Sequence, residues 1–543
     1  MINKKRFRLR MIIPSFPPFN IYSFAANTTT SSGPIYVATA ANKLEMWEVE
    51  VIDENNLHGK LYPKDENGNI DHYKLQEDRP ADVAGFYGSI SSSIPRLYTV
   101  AKMYKDMGAY TVAGGKHIEN MPLEAVNNGI DVAAFGEGEA TIRDLLLAWQ
   151  NETPLENVQG IAFLKNDTLH TTDARPPIED LDRIAFPDFD LMRYEKMKFY
   201  PINRTRGCNA NCEFCAVKGK ARCASPEWLM AQVKNLVETR NAKFFFESSD
   251  HFAADRQEAI RFCRMFADYQ KKLGKRFVTT VQLRISDARH PELLEAMRDA
   301  NINTIAIGYE SPIDEELMSM NKGYKSKDLI EWTRTYHKYG FFIHGMFIFG
   351  YPKKENSNKN ISLREEVKRF KKFIKKAKID TVQLLLTMPL PGTELRRRLE
   401  KENRIYPLEK IGWEYYDGQY PLFEPDDDIT PQQLQKAVKD IMSRFYHPRN
   451  FLMLAKNMII HFPGIMLVSL FTLITGRVRY IKKAYYLWKR KSFRNYLLRF
   501  VGYFIVKNWV SQFKKSDFRK RLEESRKTVT QKEQKKNLSY DKH

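Results

Sequence analysis

The sequence predicts an α/β protein: an N-terminal doubly wound, Rossmann-like domain over residues 1–165, a partial strand–helix barrel over 196–425, and a helical region over 426–543. Three observations lead there. Short apolar runs ending in Gly or polar residues alternate with stretches of helical period, first up to about residue 165 and again from about 196. Residues 166–195, with ARPPIEDLDRIAFPDFD, are rich in proline and acid, lack a period and read as a connector. Beyond 426 the strand pattern stops and apolar runs mix with basic clusters.

In the first region, IYVATAANKL reads as helical and WEVEVIDENN as a strand. ADVAGFYGSI is a buried strand and IPRLYTVAKMYKDMG a helix that stops at glycine. AYTVAGGKH is strand then turn, EAVNNG a short helix, and DVAAFGEGEATIRDLLLAW strand, turn and helix. Such sheets bind ligands beyond the carboxyl ends of their strands, and Gly88, Ser89, Gly114, Gly115, Gly136 and Gly138 stand there. In the second region KFFFESSDHF, KRFVTTVQLRIS, INTIAIGYES, FFIHGMFIFGYP and IDTVQLLLTMPLPGT read as strands. PELLEAMRDAN and SKDLIEWTRTYHKYG are helices between them, and barrel chemistry sits at the C-terminal rim of the strands.

Five cysteines in 543 residues are too few for a disulfide framework. The basic N-terminus lacks the long apolar run and cleavage site of a signal peptide, which favours a cytoplasmic setting. Four of the five cysteines fall in TRGCNANCEFCAVKGKARC, and Cys208, Cys212 and Cys215 form C-x3-C-x2-C on a loop. Three thiolates from one loop suit an iron–sulfur cluster with one open iron. Zinc would need a fourth ligand such as Cys223 or His251, and plain electron transfer is a further alternative. Cys223 and Cys263 otherwise read as ordinary residues.

This motif, with aromatic Phe214 before its last cysteine and strand–helix repeats around it, resembles the radical S-adenosylmethionine (SAM) superfamily. The resemblance implies that Cys208, Cys212 and Cys215 bind a 4Fe-4S cluster whose fourth iron is chelated by S-adenosylmethionine. It implies reductive cleavage to a 5′-deoxyadenosyl radical, and hence an electron donor such as ferredoxin or flavodoxin. Phe214 would lie beside the cluster, and Glu247, Ser249 and Asp250 are candidates for the methionine amino group, although the usual Gly-Gly-Glu form is lacking. Gln282, Arg284 and Glu310 (with Ser311) occupy further strand ends that resemble cofactor-contacting segments. GMFIFGYP and LTMPLPGTEL resemble later strands of the cobalamin-type branch.

Residues 34–150 resemble the cobalamin-binding domain that precedes many such barrels, with Gly88, Ser89, Ser91, Gly114 and Gly115 on the ligand-facing edge. Many such domains carry Asp-x-His-x-x-Gly; here Asp53 to Gly59 places His58 at another spacing, and members of this branch bind cobalamin without that ligand. The competing reading keeps the domain for packing alone. His117 reads as a loop residue.

The net charge is +21, and residues 477–543 alone carry 21 Lys and Arg against 5 Asp and Glu. Met458 to Gly476 contains no charged residue, but His461, Pro463 and Gly464 interrupt its start, which argues against a full membrane span. Aromatic residues interleaved with Lys and Arg then favour a membrane surface over nucleic acid. A buried helical hairpin with solvated charges is the third reading. The expected function is radical modification of an unactivated carbon of a lipid- or isoprenoid-like substrate, by methyl transfer, cyclisation or coupling, at the membrane periphery. The alternatives are an enzyme acting on RNA or a soluble metabolite, and a non-catalytic iron–sulfur protein.

Overall fold

The computed structural model describes residues 7–20, 23–58, 61–354, 360–426, 429–449, 470, 497–514 and 516–540. It divides into two compact units. The first comprises Met1–Asp250, Met388–Asp417 and Lys520–His543; the second comprises His251–Thr387 and Gly418–Arg519.

The first unit is built on strands β1 (Phe7–Ile13), β2 (Trp47–Asp53), β3 (Val83–Tyr87), β4 (Tyr110–Gly114), β5 (Val132–Ala134), β6 (Ile161–Lys165), β7 (Thr168–Thr171) and β8 (Met192–Arg193). They form one sheet in the order β7-β6-β5-β4-β3-β1-β2-β8. Pairing is parallel from β5 through to β8 and antiparallel for β5–β6 and β6–β7. The chain leaves β1 first to β2 and then returns to β3 on its other side, so the topological switch point lies between β1 and β3.

Strand β1 was not legible as a strand, because FRLRMII reads as a basic terminus. Its Arg10 is fully buried. The guanidinium is satisfied by Glu50 Oε1 (2.7 Å), Gln76 Oε1 (2.9 Å) and the Tyr104 hydroxyl (3.0 Å). A buried charge is tolerated only with such pairing. The connector also contributes more than expected: β7 and β8 both fall within 166–195 and join the sheet.

The first unit also holds β9 (Phe199–Ile202), β10 (Thr205–Arg206), β11 (Arg222–Cys223) and β12 (Phe244–Glu247). β9 and β12 pair in parallel, β10 and β11 antiparallel. The second unit holds β13 (Val278–Leu283), β14 (Ile302–Glu310), β15 (Phe342–Phe349) and β16 (Thr381–Leu386), parallel throughout. Helices Pro291–Asp299 and Ser326–Lys338 fill the expected connections. Alternate residues of β13 and β15 are buried.

Helix Pro431–Phe445 opens with a capping box between Thr430 and Gln433. Residues 497–514 are helical, burying Val506 and Trp509 while Leu497, Phe500 and Phe504 stay exposed. The polar C-terminal stretch forms the helix Phe518–Tyr540. Among the described residues, no helix is long and apolar enough to cross a membrane. Nearly all of the uncharged run 458–476, and the basic aromatic stretch that follows to 496, lie outside the described residues.

Candidate functional site

The cysteine loop hangs between β10 and β11, whose register pairs Thr205 with Cys223 and Arg206 with Arg222. Gly207 starts the loop with φ of 83°, and a Cβ there would lie 2.7 Å from the Lys220 carbonyl oxygen. Only glycine takes this turn without strain. Asn209 Oδ1 accepts from Ala221 N at 2.9 Å, closing the loop across its width. Lys218 Nζ donates to Asn211 Oδ1 and to the Cys212 carbonyl, both at 2.8 Å.

Cys212 is buried; Cys208, Cys215 and Phe214 are half-buried, and none of the five cysteines is in a disulfide. Burial raises the Cys215 thiol above its ordinary range, partly offset by a 3.4 Å hydrogen bond from Val217 N. Glu213, between two of the cysteines, is tied to Arg398 (2.9 Å), and its carbonyl accepts from Leu395 N at 3.1 Å. The helix Glu394–Lys401 thereby holds the loop from behind.

Among the described residues, no three His, Cys, Asp or Glu side chains gather closely enough to hold one metal ion. A cluster asks less, because each cysteine binds a different iron. Three cysteines outside any disulfide, on one braced loop, fit that donor set. The proposed extra zinc ligands are engaged otherwise: Cys223 Sγ lies 3.4 Å from Thr205 Oγ1, and His251 Nε2 lies 2.8 Å from Asp287 in the second unit. Cys263 is fully buried on the helix Arg256–Leu273.

Beyond the end of β12, three candidate residues divide their work. Ser249 is a brace: its hydroxyl accepts from Arg204 N (3.0 Å) and Thr205 N (2.9 Å) and donates to Glu247. Asp250 accepts from Gly207 N at 2.9 Å, and burial lifts its carboxyl above the usual range. Glu247 is fully buried and pushed up to about 7 by desolvation. Its Oε1 accepts from Arg204 N at 3.3 Å, whereas its buried Oε2 has no hydrogen-bond partner. A buried oxygen left this way suits a cationic group supplied by a ligand.

At the switch point of the sheet lies an open cleft of about 1120 Å³, solvent at its mouth included. Its lining takes Met11 from β1, Gly85 to Tyr87 from β3, and Ser89, Gly114, Gly115, Gly136 and Gly138 from strand ends and turns. Gly115 has φ of 122°, and a Cβ there would stand 2.5 Å from Ser89 Oγ. Among the described residues, no histidine lines the cleft. His58 Nε2 contacts the Asn27 carbonyl at 3.1 Å. His117 is buried in a short helix rather than a loop, with Nδ1 3.0 Å from Ser91 Oγ. Ser91, expected on the ligand-facing edge, is thus a buried partner of His117 and absent from the lining, as is Gly88. A wall of glycines with no metal-ligating imidazole fits a large flat ligand approached by backbone.

The second unit places the remaining candidates. Gln282 is half-buried on β13, and its carbonyl accepts from Phe252 N at 3.1 Å. Arg284 follows the strand; its backbone N–H donates to Asp287 (3.0 Å), and its carbonyl accepts from the Tyr336 hydroxyl (2.9 Å). Glu310 ends β14 with φ of 60°, where the ladder slips register, and Lys322 Nζ meets its carboxylate at 3.0 Å. A non-glycine residue held there is strained, as ligand-binding positions often are. Ser311, named with it, is fully buried and donates to Glu316.

Sequence reasoning missed Glu137, Glu139, Lys116, Tyr36 and Arg206, all of which line the cleft. The run Gly136-Glu137-Gly138-Glu139 was read only for its glycines; alternating acids on a ligand-facing turn were the available signal.

Residues 202–364 match the family model described as Radical SAM superfamily. An uncharacterized methyltransferase of Pyrococcus horikoshii is 27% identical over 67% of this chain and 78% of its own length. The hopanoid C-2 methylase of Rhodopseudomonas palustris is 25% identical, covering 66% of this chain and 63% of the methylase. Among solved structures, the cobalamin-dependent SAM radical enzyme OxsB with aqua-cobalamin bound superposes with a TM-score of 0.63 at 14% identity, covering 93% of this chain and 84% of that one. A domain of this family implies a 4Fe-4S cluster and S-adenosylmethionine. The fold is thus the one OxsB has, and residues 202–364, which carry the cysteine loop, are a radical SAM superfamily domain.

Proposed function

We propose that the chain is a cobalamin-binding radical SAM enzyme that transfers a methyl group to an unactivated carbon of a hydrophobic, lipid- or isoprenoid-like substrate. One observation carries this reading: a glycine-lined cleft at the switch point has Arg206 in its wall, two residues before Cys208. The hopanoid methylase among the relatives supports an apolar substrate. In this reading residues 1–165 hold cobalamin, 166–195 connect, 196–425 hold the cluster and SAM, and 426–543 meet a membrane surface. An electron donor such as ferredoxin or flavodoxin is required.

When bound, cluster and SAM supply a reactive primary carbon radical, and the corrinoid supplies a methyl group. The protein's part is placement. Cys208, Cys212 and Cys215 would hold the cluster, with Phe214 beside it. Glu247 Oε2 takes the SAM amino group, while Asp250 and Ser249 keep the loop stem in place. Ser89, Gly114 and Gly115 seat the corrinoid by backbone contact.

The experiment is anaerobic reconstitution with iron, sulfide and hydroxocobalamin, removal of unbound ligand, then SAM and reductant. Retained corrin absorption with 5′-deoxyadenosine formation is expected, followed by an added methyl in membrane lipid extracts. Cleavage without retained corrinoid would redirect the reading to cyclisation or coupling. No cleavage, beside an active control enzyme, would remove the assignment of the three cysteines.

A further inference from the structure

Carboxylates of the cleft wall grip both ends of the cysteine loop. Arg206 precedes Cys208 by two residues, and Arg222 closes the loop opposite it on β11. Glu137 Oε1 meets Arg206 Nη1 at 3.2 Å and Arg222 Nη2 at 2.8 Å. Its Oε2 accepts from Arg222 Nη1 at 3.1 Å and Ile178 N at 2.6 Å. Glu139 pairs with the other Arg206 nitrogen. The four side chains retain only 11–19% exposure.

The placement of these acids matters more than their number. They alternate with Gly136 and Gly138, and all four residues line the cleft. A ligand seated on those glycines presses on the same backbone that carries the carboxylates. Arg222 is not among the residues lining the cleft, so Glu137 links a cleft surface to a strand outside that lining. Charges balance within the set, two acids against two guanidiniums, so the link works by position. Low local dielectric and bidentate geometry make it stiff. The Arg206 guanidinium also sits 5.5 Å from the Tyr36 ring centroid, and Tyr36 is another cleft residue.

We propose that Glu137 is a positioning residue that couples occupancy of the cleft to the cysteine loop, so that corrinoid and cluster strengthen each other's binding. The inference rests on the cofactor reading above. Coupling free energies are reciprocal: if the cluster changes the affinity for corrinoid, the corrinoid changes that for the cluster by the same factor.

The test uses the full-length protein under anaerobic conditions. Hydroxocobalamin is titrated into cluster-free and cluster-loaded protein by absorbance. In parallel, alkylation rates of Cys208 and Cys215 are measured in cluster-free protein with and without hydroxocobalamin. In wild type, loading the cluster should tighten hydroxocobalamin binding about fivefold or more, and hydroxocobalamin should slow alkylation. In Glu137→Gln the affinity ratio should fall to near one and the protection from alkylation should be lost, whatever the affinity for each cofactor alone, and Glu137→Asp should restore part of both. An affinity ratio near one in wild type, or an undiminished ratio in Glu137→Gln, would overturn the proposal. If Glu137→Gln does not fold, Arg222→Lys, which keeps the charge but loses the fork, is read in the same way. Failure of wild type to take up cluster or hydroxocobalamin refutes the cofactor reading before any variant is made, and the coupling falls with it.

Discussion

Glu247 shows how one buried atom can set a measurable pH dependence. Desolvation raises its carboxyl from 4.5 to about 7. In the unliganded protein the folded state holds a proton that the unfolded chain has lost, so stability falls as pH rises from about 4.5 to about 7. The full effect is on the order of 3 kcal/mol. Glu247→Gln should flatten this slope in denaturant titrations of the cluster-free protein. If Glu247 takes the SAM amino group, SAM affinity of the loaded protein should rise between pH 6 and 8 in wild type and stay level in Glu247→Gln. Arg10 makes a second case, because its removal strands Glu50 in the sheet interior. Arg10→Ala should cost roughly 3–5 kcal/mol, read as a lower midpoint in urea. A loss below about 1 kcal/mol would mean that Arg79, 3.2 Å from Glu50, compensates.

At the scale of elements, the cysteine loop depends on its stem more than on its own residues. Gly207→Ala forces a left-handed conformation costing about 1–2 kcal/mol and drives a methyl into the Lys220 carbonyl. Iron per chain after reconstitution should drop well below wild type, with far-ultraviolet circular dichroism unchanged; full iron loading would show that the loop can re-form another way. The C-x3-C-x2-C spacing was readable without coordinates because thiol chemistry is local. The bracing was not, since Arg398, Glu137 and Asp250 reach the loop from distant stretches. Likewise Ser249 and Ser91 looked like ligands only because strand ends usually carry them; the fold consumes both hydroxyls internally.

At the scale of the whole molecule, charge is concentrated toward the C-terminus, and the helix 497–514 leaves Leu497, Phe500 and Phe504 exposed near Lys507. Phe500 and Phe504 contact each other at 4.9 Å, one helical turn apart, so the apolar face is continuous. If this face meets lipid, Phe500→Ser with Phe504→Ser should weaken co-sedimentation with anionic phospholipid vesicles, and raised salt should weaken it further. Equal binding by wild type and the double variant would remove these rings from any membrane contact.

The sequence by itself determined the α/β class, most of the strands, the cysteine loop and the basic tail, because periodicity, glycine turns and thiol spacing act over a few residues. Tertiary structure alone decided that β1 runs through the sheet with Arg10 buried and that the cleft opens at the switch point. It also decided that Glu137, in the wall of that cleft, pairs with both arginines at the stem of the cysteine loop. Those outcomes depend on charges meeting across long stretches of chain. Burial then turns each meeting into a strong constraint, which no local pattern records.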